Sequence, residues 1–330
     1  MKSIDIKSKN IRWGIIGCGN VTEVKSGPAY QKVEGFELLA VMRRDAQKAA
    51  DYAQRHQVKK HYSNADELIN DPEIDAVYIA TPPDSHHYYG LKVAESGKPC
   101  CIEKPLSPSY QESLEIYESF KTKNIPLFVA YYRRSLPRFD QVKKWIDNNE
   151  IGTIRNISWN LTKSPSADDL SGVHNWRTDS KVAYGGYFDD LASHGMDLFE
   201  YYLGNIKEVS GFNTNQQGLY TSKDAIVASW LHESGITGTG VWNFGVGQQD
   251  ERVEIVGSKG KIEFTVFEEQ PIRLTNEKGI VELFIDHPEN VQFYHVEKMR
   301  EHLIGNKEHP STGNSALHTN WVLDKILGRI

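Results

Sequence analysis

The first 130 residues alternate between short apolar segments and amphipathic ones. The apolar segments IRWGIIG, FELLAVM, DAVYIAT, KPCCIE and IPLFVAYY have the composition of buried strands. Helical patterns such as AQKAADYAQRH and YQESLEIYESFKTK lie between them. Regular alternation of strand and helix predicts a doubly wound parallel sheet with right-handed crossovers. A sheet of this kind binds ligands beyond the carboxyl ends of its strands.

The rest of the chain has a β-rich pattern. It offers the segments TIRNISWNL, IKEVSGFNT, AIVASWLH, ITGTGVWNF, ERVEIVGSKGKIEFTVF and IVELFID. Several of them alternate apolar and polar residues, which is typical of a sheet with one buried face, and GSKG suits a hairpin turn. Because 330 residues exceed the usual size of one hydrophobic core, we predict two domains, 1–130 and 131–330.

Charge and composition favour a small-molecule ligand over a macromolecular one. The formal charge is −6, from 44 acidic and 38 basic side chains, which argues against a nucleic-acid partner. The chain has no apolar run long enough to cross a bilayer, and its start, MKSIDIKSKNIRWGIIG, lacks the apolar core of a signal peptide. We therefore expect a cytoplasmic protein without a membrane association. We expect Cys18, Cys100 and Cys101 to be buried thiols.

The turn after the first strand has the composition of a phosphate-binding turn. In GCGNVT, Gly17 allows a tight turn, Gly19 lets the backbone approach a phosphate, and the amides of Asn20 and Val21 follow. Thr22 stands where a third glycine usually serves close packing of the helix, so we expect slightly looser packing there. An ordinary strand-to-helix turn is the alternative interpretation.

The second strand ends in AVMRRD, close to where a dinucleotide places its adenosine ribose. An acidic residue at this place binds the ribose hydroxyls of NAD, whereas Arg43 and Arg44 suit a 2′-phosphate. We therefore predict NADP(H) in preference to NAD(H). Alternatively, both arginines are solvated surface residues.

Two later loops border the same edge of the predicted sheet. TPPDSHH begins at the end of the strand segment DAVYIAT and brings Thr81, Pro82 and His86 to the cleft, although His86 equally suits a structural role. The strand segment KPCCIE runs into CCIEKPLSP, which places Glu103 and Lys104 at the strand's carboxyl edge. A lysine at this edge is expected to face the cleft.

The segment GYFDDLASHGMD contains the densest group of chemically active side chains. In a helix Asp190, His194 and Asp197 lie at i, i+4 and i+7, on one face. Such a face binds a metal, transfers a proton, or is simply solvated. Because the sequence shows no second cluster of His, Asp or Glu to complete a coordination shell, we predict no metal.

Together these motifs carry a family likeness. GCGNV, TPPDSH, EKP and GGYFDDLASHGMD occur in this order in the Gfo/Idh/MocA oxidoreductases, which the chain resembles over nearly its whole length. The chain departs from the family pattern at Tyr184 and Ala192, where glycine is usual. The resemblance implies an N-terminal Rossmann domain and a C-terminal domain with a large, mostly antiparallel open sheet. It also implies that the last helix, about 314–328, packs on the first domain, and that the open sheet face forms a homodimer or homotetramer.

The resemblance further implies a reaction. Lys104, Asp190 and His194 are expected beside the nicotinamide of the cofactor, where they interconvert a secondary hydroxyl and a carbonyl on a sugar, polyol or cyclic diol. Imidazole has a reference pKa of about 6.5, which suits His194 as the base. Asp190 is expected to orient the imidazole, and Lys104 to hydrogen-bond the substrate oxygen. Asp189 and Asp197 are expected to be structural.

The complete set of candidate contacts follows from the motifs and the resemblance. Trp176 and Arg177 are expected to cover the nicotinamide, and Tyr132, Arg133 and Arg134 to contact substrate. The candidate cofactor contacts are Gly17, Gly19, Asn20, Val21, Arg43, Arg44, Thr81, Pro82, His86, Glu103, Lys104, Trp176 and Arg177. Two other functions remain open: a catalytically silent NAD(P)-sensing regulator, and a glycosidase that oxidises its substrate transiently.

Overall fold

A computed structural model describes residues 10–173 and 175–330. The amino-terminal segment in which we found no signal-peptide pattern, residues 1–17, lies mostly outside the described residues. The chain divides into two compact units. The first contains the residues up to Leu136 together with His287–Leu317, and the second contains Pro137–Asp286 and His318–Ile330. The boundary between residues 130 and 131 and the docking of the last helix stay predictions. No helix in the described part of the chain is long and apolar enough to span a membrane.

The first unit is built on a six-stranded parallel sheet, which confirms the prediction from strand and helix alternation. The order of its strands is β3-β2-β1-β4-β5-β6, and every neighbouring pair is parallel. The strands are β1 Ile11–Ile16, β2 Phe36–Met42, β3 Lys60–Tyr62, β4 Ala76–Ile79, β5 Cys100–Ile102 and β6 Leu127–Val129. Its helices are α1 Asn20–Val24, α2 Gly27–Lys32, α3 Ala46–Arg55, α4 Ala65–Asn70, α5 His86–Ser96, α6 Tyr110–Thr122 and α10 Phe293–Leu303.

Successive strand residues of the first unit enter two hydrophobic clusters on opposite faces of the sheet. Ile15 joins the cluster that also contains Tyr78, whereas Ile16 joins the cluster that contains Val77. Val296 and Met299 of α10 complete the first cluster. The sequence pattern did not predict this helix, although it is part of the core.

The second unit contains an eight-stranded sheet of order β14-β13-β12-β11-β7-β10-β9-β8. Only the β7 and β10 pair is parallel, so the predicted mostly antiparallel sheet is confirmed. Its strands are β7 Ile154–Thr162, β8 Ile206–Thr214, β9 Ala225–His232, β10 Thr237–Asn243, β11 Asp250–Gly257, β12 Gly260–Phe264, β13 Ile272–Asn276 and β14 Gly279–Leu283. The helices are α7 Pro137–Asp147, α8 Ala167–Ser171 and α9 Tyr187–Leu203, while α11 Gly313–Leu327 is divided between the two units.

The two faces of this sheet differ in their surroundings. One face is covered by α9, and its indoles Trp159, Trp230 and Trp242 are almost fully buried. The other face exposes an apolar row, in which Val227 pairs across the strands with Phe212 and Val241. Phe212 is 77% exposed, so this face is open to solvent.

The backbone of α9 lies directly on Trp159 of β7. A methyl group added at Gly195 would overlap the benzene ring of the indole. Trp159 has little room to move, because Trp242 and Phe199 contact its ring edge-to-face at centroid distances of 5.5 Å. Gly195 is therefore required for helix-to-sheet packing, and this contact sets the depth of α9 on the sheet.

We expect Gly195→Ala to lower the free energy of unfolding by about 1–3 kcal/mol, because the added methyl overpacks a rigid core. Gly90→Ala in α5 is the matched control. Its methyl would meet the flexible side chains of Ile102 and Ile116 at 3.3 and 3.4 Å, and alanine favours the helix. Urea denaturation measures both variants, and equal stabilities would contradict the packing argument.

Candidate active site

The turn between β1 and α1 has the backbone geometry that phosphate binding needs. Gly17 has a φ of +90°, and a side chain there would lie 2.6 Å from the methyl group of Thr81. Gly19 is different, since the nearest atom to an added Cβ is the carbonyl oxygen of Gly17 at 3.8 Å. Open space therefore adjoins the backbone at Gly19 and the start of α1 at Asn20, which fits the close approach of a dinucleotide phosphate.

Thr22 stands where a third glycine is usual, and the expectation of slightly looser packing there stays a prediction. Thr22 is fully buried, and its hydroxyl donates to the carbonyl of Gly19 at 2.8 Å. The Tyr52 hydroxyl donates to the carbonyl of Thr22 at 2.8 Å. A side chain at Gly27, where the second helix starts, would clash with that same carbonyl. Gly27 therefore allows the start of α2 to approach the carbonyl of Thr22 closely.

The two predicted phosphate ligands lie at the end of β2. Arg43 is half-buried, and its Nη1 donates to the carbonyl of Cys18 at 3.3 Å, so its guanidinium lies against the glycine turn. Arg44 is exposed. The thiol of Cys18 is buried as predicted, and desolvation raises its pKa to about 11.

The loop after β4 is joined to the loop after β5 by His86. The side chain of His86 is fully buried, with Nδ1 2.9 Å from the carbonyl oxygen of Pro105 and Nε2 2.8 Å from that of Thr81. Burial lowers the pKa of His86. A direct hydrogen bond from this ring to a cofactor would require one of these contacts to open. Thr81 is partly exposed and Pro82 is exposed at the same loop.

The side chain of Glu103 points into the first unit. Its Oε1 accepts from the hydroxyl of Tyr78 at 2.6 Å and from Nε2 of Gln292 at 2.7 Å. Its Oε2 accepts from the backbone amide of Lys104 at 3.2 Å. Only 8% of Glu103 is exposed, so its carboxylate supports the loop that carries the half-buried Lys104. The sequence placed Glu103 correctly at the strand end but gave no signal for Gln292.

The candidate substrate residues after β6 form a 3₁₀ turn, Tyr132–Ser135. The guanidinium of Arg133 lies over the ring of Tyr132, 5.0 Å from its centroid. Arg134 is buried and donates to the carbonyl of Pro310 at 3.0 Å, within the first unit. Arg134 therefore has a structural contact, and the substrate contacts of these three residues stay predictions.

In the second unit, Asp190 forms an ion pair that the sequence did not reveal. Arg177 donates from Nε to Oδ2 of Asp190 at 2.6 Å. The guanidinium of Arg177 lies over the ring of Trp176, 4.3 Å from its centroid. Trp176 and Arg177 belong to a 3₁₀ turn, Trp176–Thr178. Asn175 caps this turn, because its Oδ1 accepts a hydrogen bond from the backbone amide of Arg177 at 3.1 Å. Trp176 and Arg177 are thus fixed beside α9.

His194 lies one turn after Asp190 on the same face of α9 and is 5% exposed. The ring of Phe267 meets its imidazole edge-to-face, with a centroid distance of 5.8 Å. Tyr187, at the start of the same face, donates to Asp169 at 2.8 Å. The pKa of Tyr187 is raised, mainly by desolvation and to a smaller extent by the hydrogen bond to Asp169. This face therefore combines a carboxylate, an imidazole and a phenol.

The other two aspartates of the motif lie inside the second unit. Asp189 accepts from the amide of Gly185 at 2.8 Å and from Nη2 of Arg329 at 3.1 Å. Asp197 is completely buried. These positions suit structural roles.

The chain belongs to the Gfo/Idh/MocA oxidoreductase family. Residues 11–131 match its oxidoreductase domain with an NAD-binding Rossmann fold, and residues 139–263 match the Gfo/Idh/MocA C-terminal domain. The resemblance derived from the four motifs is thereby confirmed.

Two curated relatives illustrate the range of the family. Oxidoreductase P35 of Formosa agariphila is 34% identical over 96% of this chain and 98% of its own length. The scyllo-inositol 2-dehydrogenase (NAD(+)) of Bacillus subtilis is 28% identical over 82% of this chain and 78% of its own length. Among solved structures, levoglucosan dehydrogenase in complex with NADH and levoglucosan has a TM-score of 0.84 and 21% identity, with 97% of each chain covered. This structural similarity supports the fold.

We expect Gly19→Ala to weaken cofactor binding by about tenfold or more, because its methyl would occupy space that a phosphate needs. The thermal midpoint should change little, since no protein atom lies closer than 3.8 Å. Gly17→Ala should lower both affinity and midpoint because of its positive φ. Fluorescence titration with NADH and NADPH, beside thermal melts, makes the comparison. Unchanged affinity in Gly19→Ala would refute the assignment.

Proposed function

We propose that the protein is an NAD(P)(H)-dependent dehydrogenase that interconverts a secondary hydroxyl and a carbonyl on a sugar, polyol or cyclic diol. The observation that carries the proposal is the shared face of α9, where Asp190 and His194 lie one turn apart. Family membership supplies the context, and the relatives named for inositol and levoglucosan oxidation support the substrate class. A regulator that only senses the cofactor has no need of this face.

In the proposed mechanism His194 takes the proton from the substrate hydroxyl. A bound nicotinamide cofactor would supply the acceptor for the hydride that leaves the carbon bearing this hydroxyl. Lys104 stabilises the oxygen by donating a charge-assisted hydrogen bond while the alcohol becomes a carbonyl. The reverse reaction uses the same groups, with His194 returning the proton.

The ion pair with Arg177 fixes the position of the Asp190 carboxylate that is proposed to assist His194. The Asp190 side chain is 13% exposed, and the Arg177 guanidinium donates to its Oδ2 at 2.6 Å. Asp190 is therefore held as a carboxylate in one position while His194 gains a proton. A fixed negative charge one helical turn away stabilises the imidazolium. Arg177 acts through Asp190 and is a positioning residue.

We expect His194→Asn to lower kcat by on the order of a hundredfold or more, because asparagine cannot accept the proton. Dissociation constants for NADH and NADPH should stay unchanged. His87→Asn is the matched control, since this histidine is partly exposed and pairs with Glu115 at 2.8 Å. A spectrophotometric screen of sugars and polyols with both cofactors provides the assay. Full activity in His194→Asn would eliminate the mechanism.

We also propose that NADP(H) is preferred to NAD(H). Support comes from Arg43, whose guanidinium lies against the glycine turn, and from the exposed Arg44 beside it. Both present charge where the 2′-phosphate is expected, and an acidic residue is absent from these two positions. Relatives named for NAD(+) or solved with NADH show that the family also uses NAD(H).

We expect Arg43→Asp to raise the KM for NADP by about tenfold or more, because a carboxylate replaces a charged donor to the phosphate. The KM for NAD should change by much less and serves as the internal control. Steady-state kinetics with both cofactors measures the ratio. If the ratio of the KM for NADP to the KM for NAD is the same in Arg43→Asp as in the wild-type protein, the proposed preference is wrong.

The open sheet face is proposed to form a homodimer or homotetramer. Val227 and Val241 are 45% and 44% exposed beside Phe212, and such apolar rows usually mark an interface.

We expect Val227→Lys to shift the protein toward the monomer by burying a charge in that interface. Light scattering after size-exclusion chromatography distinguishes the states. A monomeric wild-type protein at micromolar concentration would disprove this assembly.

A further inference from the structure

The segment after β12, residues 265–268, is held by a buried carboxylate. Glu251 of β11 is 7% exposed. It accepts from the backbone amides of Val266 at 2.7 Å, Phe267 at 3.1 Å and Glu268 at 3.1 Å. Several amide donors directed at one carboxylate form a charge-assisted arrangement stronger than neutral hydrogen bonds. We call residues 265–268 the Phe267 loop.

A buried cation also holds the Phe267 loop. Arg138 of α7 is 2% exposed. It donates from Nη1 to the carbonyl of Glu268 at 2.6 Å and from Nη2 to the hydroxyl of Thr265 at 2.7 Å. Backbone donors of the loop thus meet an anion, and its acceptors meet a cation. Because these bonds engage both ends of the loop, its conformation is strongly restricted.

The loop presents the ring of Phe267 to His194. Phe267 is partly exposed, whereas Thr265 and Val266 are buried. Its ring also lies nearly parallel to the indole of Trp159, with an interplanar angle of 25° and a centroid distance of 6.5 Å. A substrate carbon whose hydroxyl is hydrogen-bonded to His194 would therefore lie beside the ring of Phe267.

We infer that Phe267 is a specificity-determining residue, whose ring forms an apolar wall for the C–H face of a cyclic polyol or sugar. The inference rests on the proposed function, in which His194 binds the reacting hydroxyl. A cyclic polyol presents C–H bonds on a face of fixed shape, and an aromatic ring contacts such a face over a large area. An acyclic polyol loses more conformational entropy on making the same contact. Glu251 and Arg138 are positioning residues for this wall.

The test compares Phe267→Leu with Phe264→Leu. The control removes a ring of the same size from β12, which packs on Phe139 and Tyr202 at centroid distances of 6.1 Å. For myo-inositol and levoglucosan, Phe267→Leu should raise KM on the order of tenfold, while kcat falls much less. The KM for mannitol, an acyclic hexitol, should change less. Phe264→Leu should lower the thermal midpoint without changing KM.

Glu251→Gln tests the positioning role, because its amide nitrogen replaces one acceptor with a donor among backbone donors. It should raise the KM for the ring compounds in the same direction as Phe267→Leu. A wild-type KM in this variant, beside a raised KM in Phe267→Leu, would overturn the positioning role. Equal KM values in Phe267→Leu and Phe264→Leu would overturn the inference itself.

Calorimetric binding of the ring compounds to the cofactor-loaded protein separates this inference from the proposed function. If the wild-type protein binds a ring compound without oxidising it, the proposed function fails. The ratio of the dissociation constants of Phe267→Leu and Phe264→Leu for that compound then still decides the role of Phe267. A wild-type enzyme that oxidises only acyclic alcohols keeps the proposed function and overturns the inference. A protein that binds no ring compound overturns it as well.

Discussion

The arrangement of the second unit depends on the contact between Gly195 and Trp159. The indole occupies the space that a side chain at position 195 would need, and Trp242 and Phe199 fix its orientation. Because α9 meets a rigid surface there, its depth and rotation on the sheet are set. His194 precedes this glycine, so the direction of the imidazole follows from a packing contact. The same indole also supports Phe267.

In the first unit the buried carboxylate of Glu103 fixes the position of a loop, as the contact between Gly195 and Trp159 fixes α9 in the second unit. Burying a carboxylate is unfavourable unless hydrogen bonds compensate for lost hydration. Glu103 receives them from Tyr78 of β4, from Gln292 before α10, and from the amide of Lys104. Three segments that are distant in sequence therefore meet at one side chain. The loop that carries Lys104 is restrained by this network and by His86, whose ring nitrogens contact two backbone carbonyls.

Local patterns were sufficient for most of the fold and for the face of α9. Alternation of strands and helices predicted the first sheet, the family resemblance implied the second, and helical spacing placed Asp190 and His194 together. The pattern missed α10, because most of its residues are polar and its buried Val296 and Met299 meet a cluster formed by the opposite end of the chain. It also missed the partner of Asp190. Nothing in the spacing of Arg177 and Asp190 specifies how the 3₁₀ turn lies against the helix, since tertiary packing decides that.

The glycine turn shows that the residue type at a motif position can change while the turn keeps its structure. The usual third glycine allows a helix to pack closely, but here Thr22 occupies that position, is fully buried and closes the turn with its hydroxyl. A different close approach occurs five residues later, where Gly27 meets the carbonyl of Thr22 and α2 begins. A break between α1 and α2 makes this possible, because the chain reorients before the second helix starts. The backbone of Gly19 stays accessible, because no atom lies closer than 3.8 Å to a Cβ added there, and the proposed phosphate contact requires this access.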